Sequence, residues 1–250
     1  MIASALDSPQ QSILILGGEP LLMLDKVIEF VTAIRPYKKE IYVTTSLPRT
    51  LVKQPEQLLH LVGMLDGLNV SFQHHDWQRN NEILSASNKY NRVEFLGELL
   101  AHEDFARKVR VSVNLVKGGV DNAKDLNAFL DLFQQMGCRH VKVNELQSSS
   151  DKYVSFENIM NVKLPSPFAH GCQTDEPLRD GMRVTLKRSC FIVEETLTAS
   201  PADLMKITVR SISNFTSRGG AQTRNGVMYE NGSLETGWIT EEPSLSSVSD

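Results

Sequence analysis

Gly17, Gly18, Glu19 and Pro20 stand directly after a short apolar run at 13–16. Two glycines let a backbone approach a ligand closely, a glutamate offers a carboxylate to an ammonium group, and a proline suits the first turn of a helix. The same residues also suit a plain tight turn with an acid placed on a helix dipole. They lack the G-x-G-x-x-G spacing of a dinucleotide site, which argues against a nicotinamide cofactor. His74, His75 and Asp76 invite a metal reading. On an extended strand, however, adjacent side chains point to opposite faces, so the two histidines are not both inward ligands without a bulge. One of them is left as a substrate contact or as an ordinary loop histidine. Arg110, Lys142 and Glu145 either face an anionic or polar substrate or pair with one another. Cys138, Cys172 and Cys190 are far apart and form no C-x-x-C spacing. They read as three reduced thiols with packing roles, and no metal-ligating residue is assigned.

The elements that must position these residues alternate between strand and helix. Leu24, Val27, Ile28, Val31 and Ile34 recur at helical spacing after Pro20, and Pro36 is expected to stop that helix. A second helix is expected over 120–136, with Ala123, Leu126, Leu130 and Phe133 on one stripe. Asp121 or Asn122 can cap its start, and Gly137 its end. Further helices are expected at 55–65 and 92–102, while 76–90 reads as helix or loop. Strands are expected at 13–16, 41–46, 68–74, 108–116 and 140–146. Strands separated by helices predict parallel pairing through right-handed crossovers.

Within these strands the residues alternate. Val109, Val111, Val113 and Leu115 oppose Arg110, Ser112 and Asn114, and Val141 and Val143 oppose His140, Lys142 and Asn144. Val70 and Phe72 likewise oppose Asn69, Ser71 and Gln73. A doubly wound sheet would be apolar on both faces. With helices on the apolar face, the polar face must line an interior that holds water or ligand, as in a curved sheet or partial barrel. An antiparallel sheet with one solvated face would also alternate.

A chain of 250 residues has the size of one α/β barrel or two small domains, and its formal charge of −4 comes with scattered basic residues. No nucleic-acid or membrane footprint is visible, which favours a small or uncharged partner. No apolar run spans a bilayer and no secretory signal pattern opens the chain, so a cytoplasmic location is expected. After 147 the character changes. Strands are expected at 182–193 and 205–212, a basic loop at 215–224, and an Asn231-Gly232 hairpin between 227–229 and 233–238. Residues 240–250 are Ser- and acid-rich and read as a disordered tail. The expected division is 1–147, 148–239 and 240–250.

Taken in order, residues 13–20, 41–48, 68–76, 109–122 and 140–147 resemble the second to sixth strands of the radical S-adenosylmethionine superfamily. The similarity is greatest to its molybdenum-cofactor GTP-cyclising and peptide-modifying branch. The Gly-Gly-Glu-Pro turn is the specific motif, and the remaining segments match in pattern. The resemblance implies an α/β fold, an incomplete (β/α)6 half-barrel of the TIM-barrel type lacking its first strand, with a small β-rich C-terminal extension. It implies that Gly17, Gly18, Glu19 and Pro20 form the S-adenosylmethionine turn. Ser46 stands where many relatives have Thr-Asn-Gly, and Ser71 and Asn114 are candidates for the methionine carboxylate and the ribose. Lys117-Gly118-Gly119 resembles a recurrent family turn.

The family's [4Fe-4S] cluster is held by a C-x-x-x-C-x-x-C loop, and thiolates are what such a cluster needs. No cysteine precedes Cys138. The expectation is therefore a radical enzyme by family, with an unknown small-molecule or peptide substrate, inactive as this chain. A partner chain would then supply the missing strand and cluster. Two alternatives stay open, a non-catalytic ligand-binding relative and an unrelated α/β binding protein.

Overall fold

A computed structural model describes residues 1–86, 89–145, 151–155 and 158–159 with their side chains. Beyond these it describes the backbone of the strands at 177–179, 182–189, 192–199, 206–211, 226–228 and 234–236. Cys172, Cys190, the 215–224 loop and the 240–250 tail lie outside the described residues.

Five parallel strands are joined by helices. They are β1 (Ser12–Ile15), β2 (Glu40–Thr45), β3 (Gly67–Ser71), β4 (Val109–Leu115) and β5 (His140–Glu145), hydrogen-bonded in that order. The connections are α2 (Leu24–Ile34), α3 (Pro55–Met64), then α4 (Trp77–Ile83), α5 (Arg92–Leu100) and α6 (Glu103–Lys108), and finally α7 (Ala123–Gln135). A short α1 (Ile2–Asp7) precedes β1. The strand order follows the chain order, as right-handed crossovers placing the helices on one face require.

The alternation expected from sequence holds. In β4 the valines and Leu115 are buried while Arg110, Ser112 and Asn114 are half-exposed, and β2 repeats the pattern. The buried side chains of the strands join those of α2, α3, α5, α6 and α7 in one core. Phe72, Phe129 and Phe133 pack there, with Phe133 5.1 Å from Phe72 and 4.6 Å from Phe129 between ring centroids. Helices thus cover the apolar face, leaving the other face to polar side chains.

Several boundaries differ from the sequence expectation. Pro20 opens a 3-10 turn that runs to Met23 before α2 begins at Leu24, and Pro36 sits inside a second such turn instead of ending the helix outright. α7 begins at Ala123, not at 120, because Asn122 Oδ1 accepts from Asp125 N at 3.0 Å and closes the first turn there. Gly137, at φ 80°, caps its end as expected. α6 was not expected; six residues are too few to show a helical period, and Lys108, assigned to a strand, ends it. The ambiguous 76–90 segment contains α4, capped by Asp76.

The strand expected over 182–193 is a hairpin instead, β7 (Met182–Ser189) with β8 (Ile192–Ala199). β8 also pairs antiparallel with β9 (Lys206–Ser211), and β6 (Pro177–Arg179) lies outside β7. β9 pairs in parallel with β5, from His140 opposite Lys206 to Asn144 opposite Arg210, so these strands extend the same sheet. The hairpin expected near 227–238 forms from β10 (Gly226–Met228) and β11 (Leu234–Thr236). No described helix is long and apolar enough to cross a membrane.

Candidate functional site

The carboxyl ends of β1 and β2 are tied together by one carboxylate. Glu19 Oε1 accepts from Leu21 N (3.1 Å) and Thr45 Oγ1 (2.7 Å), and Oε2 accepts from Ser46 N and Ser46 Oγ (2.6 Å each). Two oxygens with two acceptor directions each are thereby engaged. Thr45 Oγ1 is itself fixed by accepting from Leu47 N at 2.9 Å. The Ser46 hydroxyl is the donor free to turn aside for an incoming ammonium. Leu47 follows at φ 54°, in the left-handed region that favours glycine, while its side chain is fully buried. Packing of the leucine holds a backbone conformation that costs on the order of 1–3 kcal/mol.

Gly17 and Gly18 lie at φ 105° and 53°, and a Cβ built on either meets no atom of the described residues within 4 Å. Both glycines are therefore required by backbone conformation and not by crowding. The space above them is open. Pro20 starts the 3-10 turn at N1, with Glu19 as its cap.

Across the sheet, Ser71 is the last residue of β3 and faces Ser112 of β4, while Asn114 faces Asn144 of β5. Asn144 Nδ2 donates to Asn114 Oδ1 and to Val113 O at 3.4 Å. The Ser71 hydroxyl makes no hydrogen bond to the described residues. Ser46 follows β2 level with Ser71, since Thr45 faces Val70. Toward the amino ends the same face is filled by larger groups. The Arg110 guanidinium lies 4.8 Å from the Tyr42 ring centroid, and Tyr42 lies over Gly67, whose missing Cβ would stand 2.9 Å from Tyr42 Cδ1. Larger groups thus stand toward the amino ends and small polar residues toward the carboxyl ends, where ligands of parallel α/β sheets bind.

Two sequence expectations are corrected by this geometry. Glu145 faces Leu115 and is buried with the apolar face, away from the polar row of Arg110 and Lys142 on the other face. β3 stops at Ser71, and His74 and His75 lie in the following loop, where strand alternation does not apply. Their rings stack, 4.3 Å between centroids and 26° from parallel. Burial, and then the neighbouring His75, hold His74 below the ordinary histidine value. The Lys117-Gly118-Gly119 turn is clamped from α4, as Arg79 Nε and Nη2 donate to Gly118 O at 3.1 and 2.7 Å.

Arg92 was visible in the sequence only as a helix start. It is 7% exposed, donates through Nη1 to Asn81 Oδ1, and stacks its guanidinium 5.4 Å from the Tyr90 ring centroid. Burial holds its pKa below the usual range, opposed by Tyr90 and by the negative charge of Glu19. A buried arginine thus lies within electrostatic reach of the turn. No spacing signal marks it, because Asn91 and Arg92 look like any helix opening.

Among the described residues no thiolate for a cluster stands beside the turn. Cys138, the one cysteine among the described residues, is 2% exposed and donates through Sγ to His140 O at 3.3 Å. It precedes β5, at the end of the sheet opposite Gly17 and Gly18. The described residues therefore do not fit a [4Fe-4S] cluster, whereas the open glycine turn and its polar neighbours fit a small ligand carrying an amino group.

No family model matches the chain, and no curated protein matches it. Among solved structures it is similar to a domain of a pyruvate-formate lyase-activating enzyme from Bacteroides vulgatus. The identity is 18% over 60% of this chain and 88% of that one, with a TM-score of 0.48. It is similar also to a radical SAM methyltransferase from Sphaerobacter thermophilus, at 17% identity over 60% of this chain and 46% of that one, with a TM-score of 0.49. Both scores lie below 0.5, so neither likeness bears on a residue of the site.

Proposed function

We propose that this chain binds S-adenosylmethionine at the carboxyl ends of β1 to β4, as a member of the radical S-adenosylmethionine superfamily with a partial barrel of the TIM type. The observation that carries the reading is the Gly17–Gly18–Glu19 turn. It has two left-handed glycines with open space over them and a glutamate anchored to Thr45 and Ser46. In this reading the turn receives the amino group of the ligand, and the Ser46 hydroxyl rotates to free one lone pair of Glu19. Ser71 and Asn114 receive the carboxylate and the ribose. The Tyr42–Arg110 stack limits how deep the ligand sits.

Bound S-adenosylmethionine would supply an activated adenosyl or methyl group to a small molecule or peptide meeting it over the polar face. No radical step is assigned to the described residues, since none of them can hold the cluster. We place that cluster on a strand outside the described residues, contributed by a partner chain, that pairs with β1. β1 is the edge of the described sheet, and Leu14 and Leu16 are 49% and 43% exposed there. Such an edge is a template for strand addition.

Calorimetric titration of S-adenosylmethionine into the iron-free folded chain tests the binding. One equivalent is expected, with the affinity falling about tenfold or more in Asn114→Ala and in Gly18→Val, the scale of one hydrogen bond to a charged or oriented group. A folded chain that takes up no ligand, or variants that bind as well as the parent, would overturn the reading.

A further inference from the structure

His74 and His75 follow β3, and Asp125 lies in the first turn of α7, which follows the neighbouring strand β4. One donor atom from each of the three lies within 4.8 Å of the other two. Two imidazoles and one carboxylate are a donor set suited to borderline divalent ions, and three protein ligands leave positions open for water or substrate. A second observation points the same way. His75 Nδ1 is buried and has no hydrogen-bond partner among the described residues, a condition that costs about 1–3 kcal/mol unless a ligand relieves it.

We propose that His74, His75 and Asp125 bind one divalent first-row transition ion, of the zinc or cobalt kind, at the carboxyl ends of β3 and β4. The supporting contacts are in place. Asn122 Nδ2 donates to Asp125 Oδ2 at 2.6 Å while Asn122 Oδ1 accepts from the Asp125 backbone N–H, so one carboxylate oxygen is held in place and Oδ1 is left for the ion. Metal bonds of about 2.1 Å set tetrahedral donors about 3.4 Å apart, so the three side chains must close in by about an ångström.

The His74 ring adds a specific consequence. Its Nδ1 accepts from Asp76 N at 3.0 Å. If Nδ1 ligates, its lone pair goes to the ion. If Nε2 ligates, the ring proton moves to Nδ1, which then cannot accept. Either way the Asp76 amide loses this partner when the ion binds, while the Asp76 carboxylate stays in place as the cap of α4.

Cobalt titration of the full chain, freed of metal by a chelator, is the test. One equivalent of Co2+ with visible d–d bands is expected, displaced by Zn2+. His75→Gln and Asp125→Asn should each weaken binding by more than about a hundredfold with the circular dichroism spectrum retained, the scale set by losing a ligand outright. His60→Gln, on the exposed face of α3, should leave it unchanged. In the unsubstituted chain the Asp76 amide resonance should shift on adding one equivalent of Zn2+, which decides the matter even if a variant does not fold. The proposal is overturned by absence of cobalt binding, by an unmoved Asp76 amide, by folded variants that bind undiminished, or by a strong thiolate-to-cobalt band placing the ion on cysteines.

Discussion

Glu19 Oε2 accepts both the backbone N–H and the hydroxyl of Ser46, each at 2.6 Å, and so joins the turn after β1 to the residue after β2. One carboxylate holds a turn at whose two glycines an added Cβ would meet no described atom within 4 Å. The turn's shape therefore depends on a charge-assisted contact between segments far apart in the chain.

Glu19→Gln puts an amide N–H2 where one oxygen accepted two donors, so a donor faces donors. A loss of about 1–3 kcal/mol is expected, the cost of leaving such groups unpaired. Ser46→Ala removes one donor and leaves three, and should cost about 1 kcal/mol or less. Urea unfolding of both variants checks the order. Equal losses would show that the turn is not tied through the carboxylate.

Gly67→Ala places a Cβ 2.9 Å from Tyr42 Cδ1 and 3.0 Å from Cε1. Displacing the ring and the Arg110 stack on it should cost about 1–3 kcal/mol, as overpacking does. In a Tyr42→Ala background the obstacle is gone. A double-mutant cycle should then give a coupling of about 1 kcal/mol or more between the two positions. Additive effects would refute the contact.

Burial pushes the Cys138 thiol above its ordinary value of 9.0, with hydrogen bonds to backbone groups of His140 and Val111 opposing it. The neutral thiol is favoured in the fold, so the unfolded chain releases its proton first. Stability is full below about pH 9 and falls as the pH rises through and above that value. Comparing urea midpoints of the parent and Cys138→Ala between pH 8 and 10.5 isolates this loss. A parallel decline in both would show that Cys138 is not its source.

Much of the architecture is legible in the residues themselves. Alternating valines in 109–115 and 141–143 mark strands with one apolar face, and the stripe on α7 marks a helix that covers them. These patterns are local, repeating every two residues or every 3.6, and burial of one face is enough to enforce them. The Gly-Gly-Glu-Pro turn is legible for the same reason, since positive φ and a helix opening are properties of neighbouring residues.

The contacts that make a site are not local. The stacking of His74 on His75 depended on β3 ending at Ser71, and their approach to Asp125 on β4 lying beside β3. Periodicity could report neither. Arg92 turns inward because Asn81 and Tyr90 meet it across a loop, and Glu145 faces the core although its neighbours suggested a polar row. Sequence alone determined which faces are apolar and where the glycine turn stands, because those follow from the spacing of residues along one element. Only the tertiary structure decided which side chains meet, because a hydrogen bond or a set of metal donors requires atoms of separate elements to come within a few ångströms.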